Sequence, residues 1–90
     1  MTSQELQKQV ETFAKMHNVS VENCRPITKR ELRNGVIYHG ICRNTDVARW
    51  DSDEFLYFRE KFKMIYTYSI KHFEDDDGYD VFIPIEVKCL

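Results

Sequence analysis

The spacing of hydrophobic residues along this 90-residue chain changes at Gly35. Before Gly35, apolar side chains recur at every third or fourth position, which is typical of one face of an α-helix. That face contains Leu6, Val10, Phe13, Ala14 and His17. Thr2 and Glu5 have the spacing of a capping box, in which side chains satisfy the free N–H groups at a helix start. The pattern predicts a helix over residues 1–18, ended by Asn18 in a left-handed conformation.

A single helical turn is predicted between this helix and the change of spacing. Pro26 forbids a helix through its own position, so residues 19–27 are expected to be irregular. Thr28 and Glu31 repeat the capping-box spacing, which predicts a turn over residues 29–33. A turn this short needs support from the rest of the fold.

After Gly35, hydrophobic and polar side chains alternate at every second position, as in the strands of a half-buried sheet. Residues typical of tight turns separate the alternating segments. The predicted strands are 36–43, 47–50, 55–59, 61–72 and 79–87. The segment 61–72 also matches part of a helical pattern, but its β-branched and aromatic content favours a strand. Pro84 cannot donate to a ladder, so the last strand should lie at an edge or end its pairing there.

These elements predict an α+β fold in a single domain, residues 1–90. The helix at 1–18 should pack on a twisted antiparallel sheet of four to five strands formed by residues 35–88. A small SH3-like barrel with an added helix is the runner-up architecture. The chain is 42% hydrophobic and 13% aromatic, with three glycines and two prolines, which excludes collagen and intrinsic disorder.

The charge balance argues against electrostatic binding of nucleic acid by the chain as a whole. Thirteen Lys and Arg against fifteen Asp and Glu give a formal net charge of −2, which leaves only a local basic patch open. No stretch approaches the ~18 apolar residues of a membrane span, so no membrane contact is expected. The three cysteines form no C-x-x-C pair, which is typical of free thiols in a reducing compartment and predicts a cytoplasmic protein.

The chain from Gly35 onward resembles a family of small proteins encoded by bacteria and their phages or plasmids. The residues that carry the resemblance are 38–44, 48–50, Phe55, Tyr57, Arg59, Lys61, Phe62, 70–72 and 74–84. No activity is attached to this family, so the resemblance implies only a small accessory protein of a bacterial or mobile-element genome. Such relatives often carry glycine after the Lys-Phe pair, whereas this chain has Lys63, which favours a strand through this point.

The acidic run after residue 73 has partial metal-site spacing. With Gly78 as the glycine of an EF-hand loop, its first and last ligand positions would be Phe73 and Pro84, which excludes an EF-hand. A looser Mg²⁺ or Ca²⁺ site stays open at three carboxylates, Asp75, Asp77 and Asp80. A solvated turn that discourages edge-to-edge strand pairing is the favoured interpretation.

Catalytic and zinc-binding arrangements are weakly represented. His39 and Cys42 have the gap of zinc ligands, but residues three apart on a strand face opposite sides of the sheet. The same geometry separates the imidazole from the thiol of a nucleophile pair. No phosphate-binding glycine loop, nucleophile elbow or metalloprotease helix motif occurs. We therefore predict no catalytic residue, no metal and no cofactor, and a metal- or thiol-dependent enzyme ranks third among the functions.

The sequence favours binding over catalysis. Cations and aromatic residues interleave along the predicted strands, as on sheets that bind single-stranded nucleic acid. The structural alternative is that the aromatic residues form the core and the cations form its polar rim. Basic segments at 25–33 and 59–63 and an acidic one at 74–80 form two charge poles that would steer a charged partner. The candidate contact residues are Arg43, Arg49, Trp50, Tyr57, Arg59, Asp75, Asp76, Asp77 and Tyr79.

The predicted function is that of a small, non-enzymatic regulatory protein that occupies the surface of a partner protein. Nucleic-acid binding through a basic and aromatic sheet face is the alternative.

Overall fold

The computed structural model describes residues 2–75 and 80–88, which form one helix of 14 residues and six strands. The helix α1 spans Ser3–Met16, and 3₁₀ turns span Val21–Asn23 and Lys29–Glu31. The strands β1 to β6 are Cys24–Pro26, Ile37–Ile41, Val47–Asp51, Glu54–Lys61, Met64–His72 and Val81–Val87. No helix within the described ranges is both long enough and apolar enough to cross a membrane.

Helix α1 begins and ends as the sequence predicts. The Thr2 hydroxyl accepts a hydrogen bond from the backbone N–H of Glu5 at 3.1 Å, and Asn18 has a φ of 55° just past the helix. The buried side chains of the helix are Val10, Phe13 and Ala14. His17 was expected on this face but is exposed, and its ring packs on Phe13 with centroids 4.2 Å apart.

The segment between α1 and β2 contains one feature that the sequence predicts and one strand that it does not. The capping box of Thr28 and Glu31 is present and starts the Lys29–Glu31 turn. The prediction that residues 19–27 are irregular was wrong at Cys24–Pro26, which pairs antiparallel with β6. Three residues are too few to show an alternating pattern, so only the partner strand defines β1.

The sheet closes into a barrel. Strands β2 to β5 form the predicted antiparallel meander, and β6 then pairs antiparallel with β2 and parallel with β5. Five strands therefore form a closed ring, to which β1 adds at β6. The prediction of a wholly antiparallel sheet was wrong because β6 returns beside β5 in the same direction, which makes the sheet mixed.

Strand β6 is buried on both faces. Residues Val81–Ile85 are all buried, and Phe82 points into the barrel. The barrel interior is filled by Ala48, Trp50, Phe55, Tyr57, Ile70 and Phe82. On the other face of β6, Ile83 and Ile85 pack against the apolar face of α1. The helix thus covers the outer side of the strand that closes the barrel.

Pro84 lies inside the sheet, so the predicted edge position was wrong, whereas the predicted end of pairing at Pro84 holds for the ladder with β2 but not for that with β1. Its carbonyl accepts a hydrogen bond from Ile27 N–H at 2.8 Å, and Gly40 of β2 is its register partner on the other side. The ladder between β2 and β6 has its last pair at Pro84. A Cβ on Gly40 would lie 2.1 Å from the carbonyl oxygen of Ile83, so only glycine permits this close approach of β2 and β6.

Residues 61–72 form a strand from Met64 onward, but the chain reverses at Phe62 and Lys63. Both residues have left-handed φ values, 53° and 63°. Phe62 therefore does not continue the strand face, and Lys63 does not favour a strand as expected. Of the side chains at alternate positions from Phe62 to His72, which one continuous strand would place on a single face, Ile70 and His72 are buried, and Met64 is exposed.

Candidate functional site

The hairpin of β4 and β5 extends beyond the barrel as a two-stranded arm, residues 58–67. The pairing of β3 with β4 stops at Arg49 and Leu56, and β6 pairs with β5 only at Lys71 and His72. Between those limits, β4 and β5 pair only with each other, from Phe58 opposite Thr67 to Lys61 opposite Met64. Most of the arm is consequently exposed on both faces.

The tip of the arm is a two-residue turn with an aromatic side chain in solvent. Phe62 and Lys63 both adopt the left-handed conformation, which this type of turn requires and which glycine or asparagine usually supplies. The Phe62 side chain is 90% exposed, the highest value among the large hydrophobic residues of the described chain. Local backbone strain of this kind is often found at functional sites.

One face of the arm continues onto the barrel as a surface that we call the outer face. Directly paired residues of antiparallel strands share a face, so Leu56 lies beside Arg49, and Arg49 beside Ile37. The outer face contains Ile37, Val47, Arg49, Leu56, Phe58, Ile65 and Thr67. Where β4 diverges from β3, Val47, Leu56 and Phe58 line a shallow cavity of about 210 Å³.

The outer face and the tip expose an unusual amount of apolar surface. Ile37 is 64% exposed, Phe58 58%, Met64 59% and Ile65 75%. Several exposed apolar residues close together on a small protein often mark a site of interaction. The hydrophobic residues at these positions are the functional candidates that the sequence analysis did not select.

A detectable signal for these residues existed in the sequence. Phe58 follows Phe55 and Tyr57 out of phase, and Ile65 breaks the alternation of residues 61–72. A hydrophobic residue out of phase with a strand whose other face is buried points to solvent. The positions of Phe58 and Ile65 in the sequence therefore indicate that these two side chains are exposed.

The arm carries a positive local charge. Arg59, Lys61 and Lys63 lie in or beside its tip, and Glu60 is its one carboxylate. Arg49 adds a cation on the outer face. None of these four cations forms an ion pair with another residue inside the described ranges.

The predicted contact residues are divided between surface and core. Arg43, Arg49 and Arg59 are exposed. Trp50 is 4% exposed and Tyr57 8%, with the Tyr57 ring stacked on Tyr68 at 5.3 Å between centroids. These two rings therefore pack in the core, as the structural alternative states, and their faces are not available for stacking on bases.

Glu74 and Asp75, in the described part of the predicted acidic segment, bind Lys29 of the predicted basic segment. The Asp75 carboxylate lies 2.9 Å from Nζ of Lys29, and the Glu74 carboxylate accepts a hydrogen bond from the backbone N–H of Lys29. Asp76, Asp77 and Tyr79 lie outside the described residues. The metal-site hypothesis at Asp75, Asp77 and Asp80 therefore stays a hypothesis.

Arg25 is likewise neutralised within the fold. Its guanidinium binds the Glu31 carboxylate through two hydrogen bonds of 3.0 and 2.8 Å and also contacts Glu86. The hydrogen bonds from Arg25, with those from Thr28, lower the pKa of the Glu31 carboxyl to about 2. Of the four cations of the predicted basic segment at 25–33, Arg25 and Lys29 thus belong to ion pairs within the fold.

The residues considered for catalysis or zinc do not converge. His39 is exposed, whereas Cys42 is half-buried and its thiol donates to the carbonyl of Thr45 at 3.3 Å. Burial raises the pKa of the Cys24 thiol, so a smaller fraction of it is present as the reactive thiolate. Within residues 2–75 and 80–88, no three His, Cys, Asp or Glu side chains are placed to hold a metal ion.

His72 is the most perturbed titratable group in the interior. Its side chain is fully buried, Nε2 lies 2.9 Å from the carbonyl oxygen of Ile27, and Nδ1 accepts a hydrogen bond from Glu74 N–H. Burial lowers the pKa of this imidazole. Both ring nitrogens are occupied by backbone groups, so His72 acts as a structural bridge between β5 and the segments beside it.

Comparison of the chain with protein-family models, curated proteins and solved structures finds no match.

Proposed function

We propose that this chain is a non-enzymatic binding module that acts by occupying the surface of a partner protein. The contact surface consists of the tip of the arm and the outer face. The observation that carries the proposal is the exposure of Phe58, Phe62 and Ile65 on one protruding hairpin. Burial of apolar surface is the main favourable term in protein association, at about 25 cal/mol per Å².

The charges around this surface define the partner. Arg49, Arg59, Lys61 and Lys63 surround the apolar residues, so the partner should present an apolar patch with carboxylates at its rim. Rim charges act mainly on association rate and selectivity, whereas the buried apolar contacts provide most of the affinity. Phe62 at the tip has the position of an anchor that enters a pocket.

We also propose a fold type, a cellular compartment and a genomic context for this binding module. An SH3-like barrel with an added helix is supported by a four-strand meander followed by a strand that returns to pair with the first. A reducing cytoplasm suits the free Cys24 and Cys42. The family resemblance adds an accessory role in a bacterial or mobile-element genome.

Nucleic-acid binding stays the second candidate function because cations and exposed aromatic rings meet on the arm. Arg59, Lys61 and Lys63 could contact phosphates while Phe62 and Tyr66 stack on bases. The burial of Trp50 and Tyr57 weakens this candidate, since it removes two of the predicted stacking platforms.

Affinity capture from the native host with matched variants tests the proposed function. The variant Phe58→Ser/Ile65→Ser removes apolar surface from the outer face without touching the core. Met16→Ser is the control, because Met16 is 67% exposed on the helix, away from the arm. We expect the wild-type chain and Met16→Ser to recover the same protein and the arm variant to lose it.

The captured protein is then titrated as a purified component. Direct binding should weaken by about tenfold or more in the arm variant, since each lost ~1.4 kcal/mol corresponds to a tenfold change. Equal binding by the arm variant would refute the proposed surface. Recovery of nucleic acid instead, with affinity that falls steeply as salt rises, would favour the second candidate function.

A further inference from the structure

The cavity of about 210 Å³ at the base of the arm lies where β3 and β4 separate. The last pair of these two strands is Arg49 with Leu56, and the next pair of the same register, Val47 with Phe58, is not formed. The sheet therefore opens on its outer face between Val47 and Phe58. We call this opening the cleft.

The Thr45 hydroxyl occupies the backbone groups through which β3 would otherwise close the cleft. Gly40 N–H donates to the Asp46 carbonyl, so the next residue, Val47, directs its N–H and C=O away from β2, to the side of β4. The Thr45 hydroxyl donates to that carbonyl at 2.8 Å and accepts from that N–H at 3.3 Å. The separation of β3 from β4 is thus maintained by hydrogen bonds of the fold.

The backbone of Phe58 is open on the other side of the cleft. Lys61 and Met64 close a two-residue turn, so hydrogen-bonded pairs recur at every second residue of the hairpin. Phe58 and Thr67 lie between such pairs and direct their N–H and C=O groups away from each other. Within residues 2–75 and 80–88, no strand pairs with Phe58 on the side of β3. Its two backbone groups are placed to bind the backbone of an extended peptide.

The lining of the cleft suits an aromatic ring. Ala48 and Tyr57, which belong to the barrel core, form its floor, and Val47, Leu56 and Phe58 form its walls. An apolar cavity of about 150 Å³ holds one benzene molecule, so the cleft has room for one aromatic side chain. The rings of Tyr57 and Phe58 add favourable contacts between aromatic groups.

Arg49 places a cation at one end of the cleft. Its side chain lines the cleft, and within the described ranges it forms no ion pair, although Asp51 and Glu54 lie on the same face toward the β3–β4 turn. Glu60 lies on this face two residues beyond Phe58, so the opposite end of the cleft is acidic. Charge therefore favours a carboxylate at the Arg49 end only.

We propose that the cleft binds an extended segment of the partner protein through one aromatic side chain and one acidic side chain two residues away. The aromatic side chain enters the cleft, and the carboxylate binds Arg49. Val47 and Arg49 lie two residues apart on one face of β3, a spacing of about 6.6 Å. An extended segment beside β3 presents its own alternate side chains at the same spacing.

This inference rests on the proposed function, because it names the chemistry of the partner segment that meets the outer face. It predicts that a short peptide with the two side chains is sufficient for binding, whereas the proposed function requires only that the whole partner does so.

Nuclear magnetic resonance titration of the isotope-labelled full chain tests the inference. The probes are acetyl-Ser-Glu-Ser-Phe-Ser-amide and acetyl-Ser-Phe-Ser-Glu-Ser-amide, which cover both directions of the segment. With at least one of them, the amide signals of Thr45, Val47 and Phe58 should shift and saturate with a dissociation constant in the millimolar range. Replacing Phe of the probe by Ala should raise that constant about tenfold or more, and replacing Glu by Gln about threefold.

Variants of the chain assign each contact. Arg49→Gln should weaken the Glu probe about threefold and leave the Gln probe unchanged. Arg30→Gln is the matched control, because Arg30 is exposed in the Lys29–Glu31 turn and does not line the cleft. Val47→Phe should fill the cleft and remove the saturable shifts, and its amide spectrum shows whether it is folded.

Three results would overturn the inference. They are unchanged cleft signals with both probes at about ten times the expected dissociation constant, equal binding of the Glu and Gln probes, and cleft signals that move with the concentration of the chain alone. The last result would mean that a second copy fills the cleft.

The two proposals fail separately. If Phe58→Ser/Ile65→Ser loses the captured protein while neither probe binds, the proposed function holds and the cleft inference is wrong. If the probes bind while that variant captures the partner as the wild-type chain does, the cleft binds such segments and the proposed function is wrong.

Discussion

The imidazole of His72 lies between the rings of Phe55 and Phe73 in the barrel interior, with centroid distances of 6.1 and 4.3 Å. Its two nitrogens satisfy the Ile27 carbonyl and the Glu74 N–H. Burial, helped by Lys29, lowers the pKa of the ring from 6.5, against the Ile27 carbonyl, Glu74 and Asp75, which favour the protonated ring. Protonation of Nδ1 would remove the acceptor for the Glu74 N–H.

The lowered pKa gives a predictable dependence of stability on pH. Below about pH 6.5 the unfolded chain binds a proton at His72 that the folded chain does not, so the free energy of unfolding falls as pH decreases. The slope from one such group is at most about 1.4 kcal/mol per pH unit. Urea denaturation between pH 7 and 5 measures it.

His72→Gln should flatten this dependence, and His39→Gln is the matched control because His39 is exposed. The same slope in wild type and in His72→Gln would contradict the assignment.

At the scale of elements, the turn of the arm stores strain that a substitution can release. Lys63 has a φ of 63°, which costs an ordinary residue about 1–2 kcal/mol and glycine almost nothing. Lys63→Gly should therefore raise the free energy of unfolding, by up to about 1 kcal/mol once the greater flexibility of unfolded glycine is subtracted.

Lys61→Gly is the charge-matched control. Lys61 lies in strand β4, where glycine weakens the strand, so this variant should lower stability. Urea denaturation at constant pH compares the two variants. If Lys63→Gly lowers stability as much as Lys61→Gly does, the left-handed turn is not present.

The sequence predicts elements whose signal is local. Helix α1 follows from its period and from the Thr2–Glu5 spacing, and strands β2 to β5 follow from alternation. The reversal at Phe62 and Lys63 has no local signal, because neither residue is of a type that favours a left-handed turn. The edge position of β6 was predicted wrongly because the segment that pairs beside Pro84 is distant in sequence: β1 pairs with β6, and the Ile27 N–H donates to the Pro84 carbonyl.

At the scale of the whole molecule, closure of the barrel decides which side chains remain outside. The pairing of β6 with both β2 and β5 is non-local, so no pattern within β6 shows it. The same closure places Trp50 and Tyr57 in the interior and leaves Phe58 and Ile65 in solvent. Of the candidate site, the sequence analysis selected the cations Arg49 and Arg59, whereas Phe58 and Ile65 were marked in the sequence only by breaking the alternation of their strands.

The central claim is that the arm stands apart from the barrel, and that no strand of residues 2–75 and 80–88 pairs with β5 on its other edge at Ile65 and Thr67. Residue-resolved amide hydrogen exchange of the dilute full chain tests it directly, because exchange follows the hydrogen bonding of each N–H. Tyr66 and Tyr68, paired to β4, should exchange slowly, whereas Ile65 and Thr67 should exchange fast. Uniformly slow exchange along β5 in the dilute monomer would contradict the claim, since it would mean that the chain itself covers this edge.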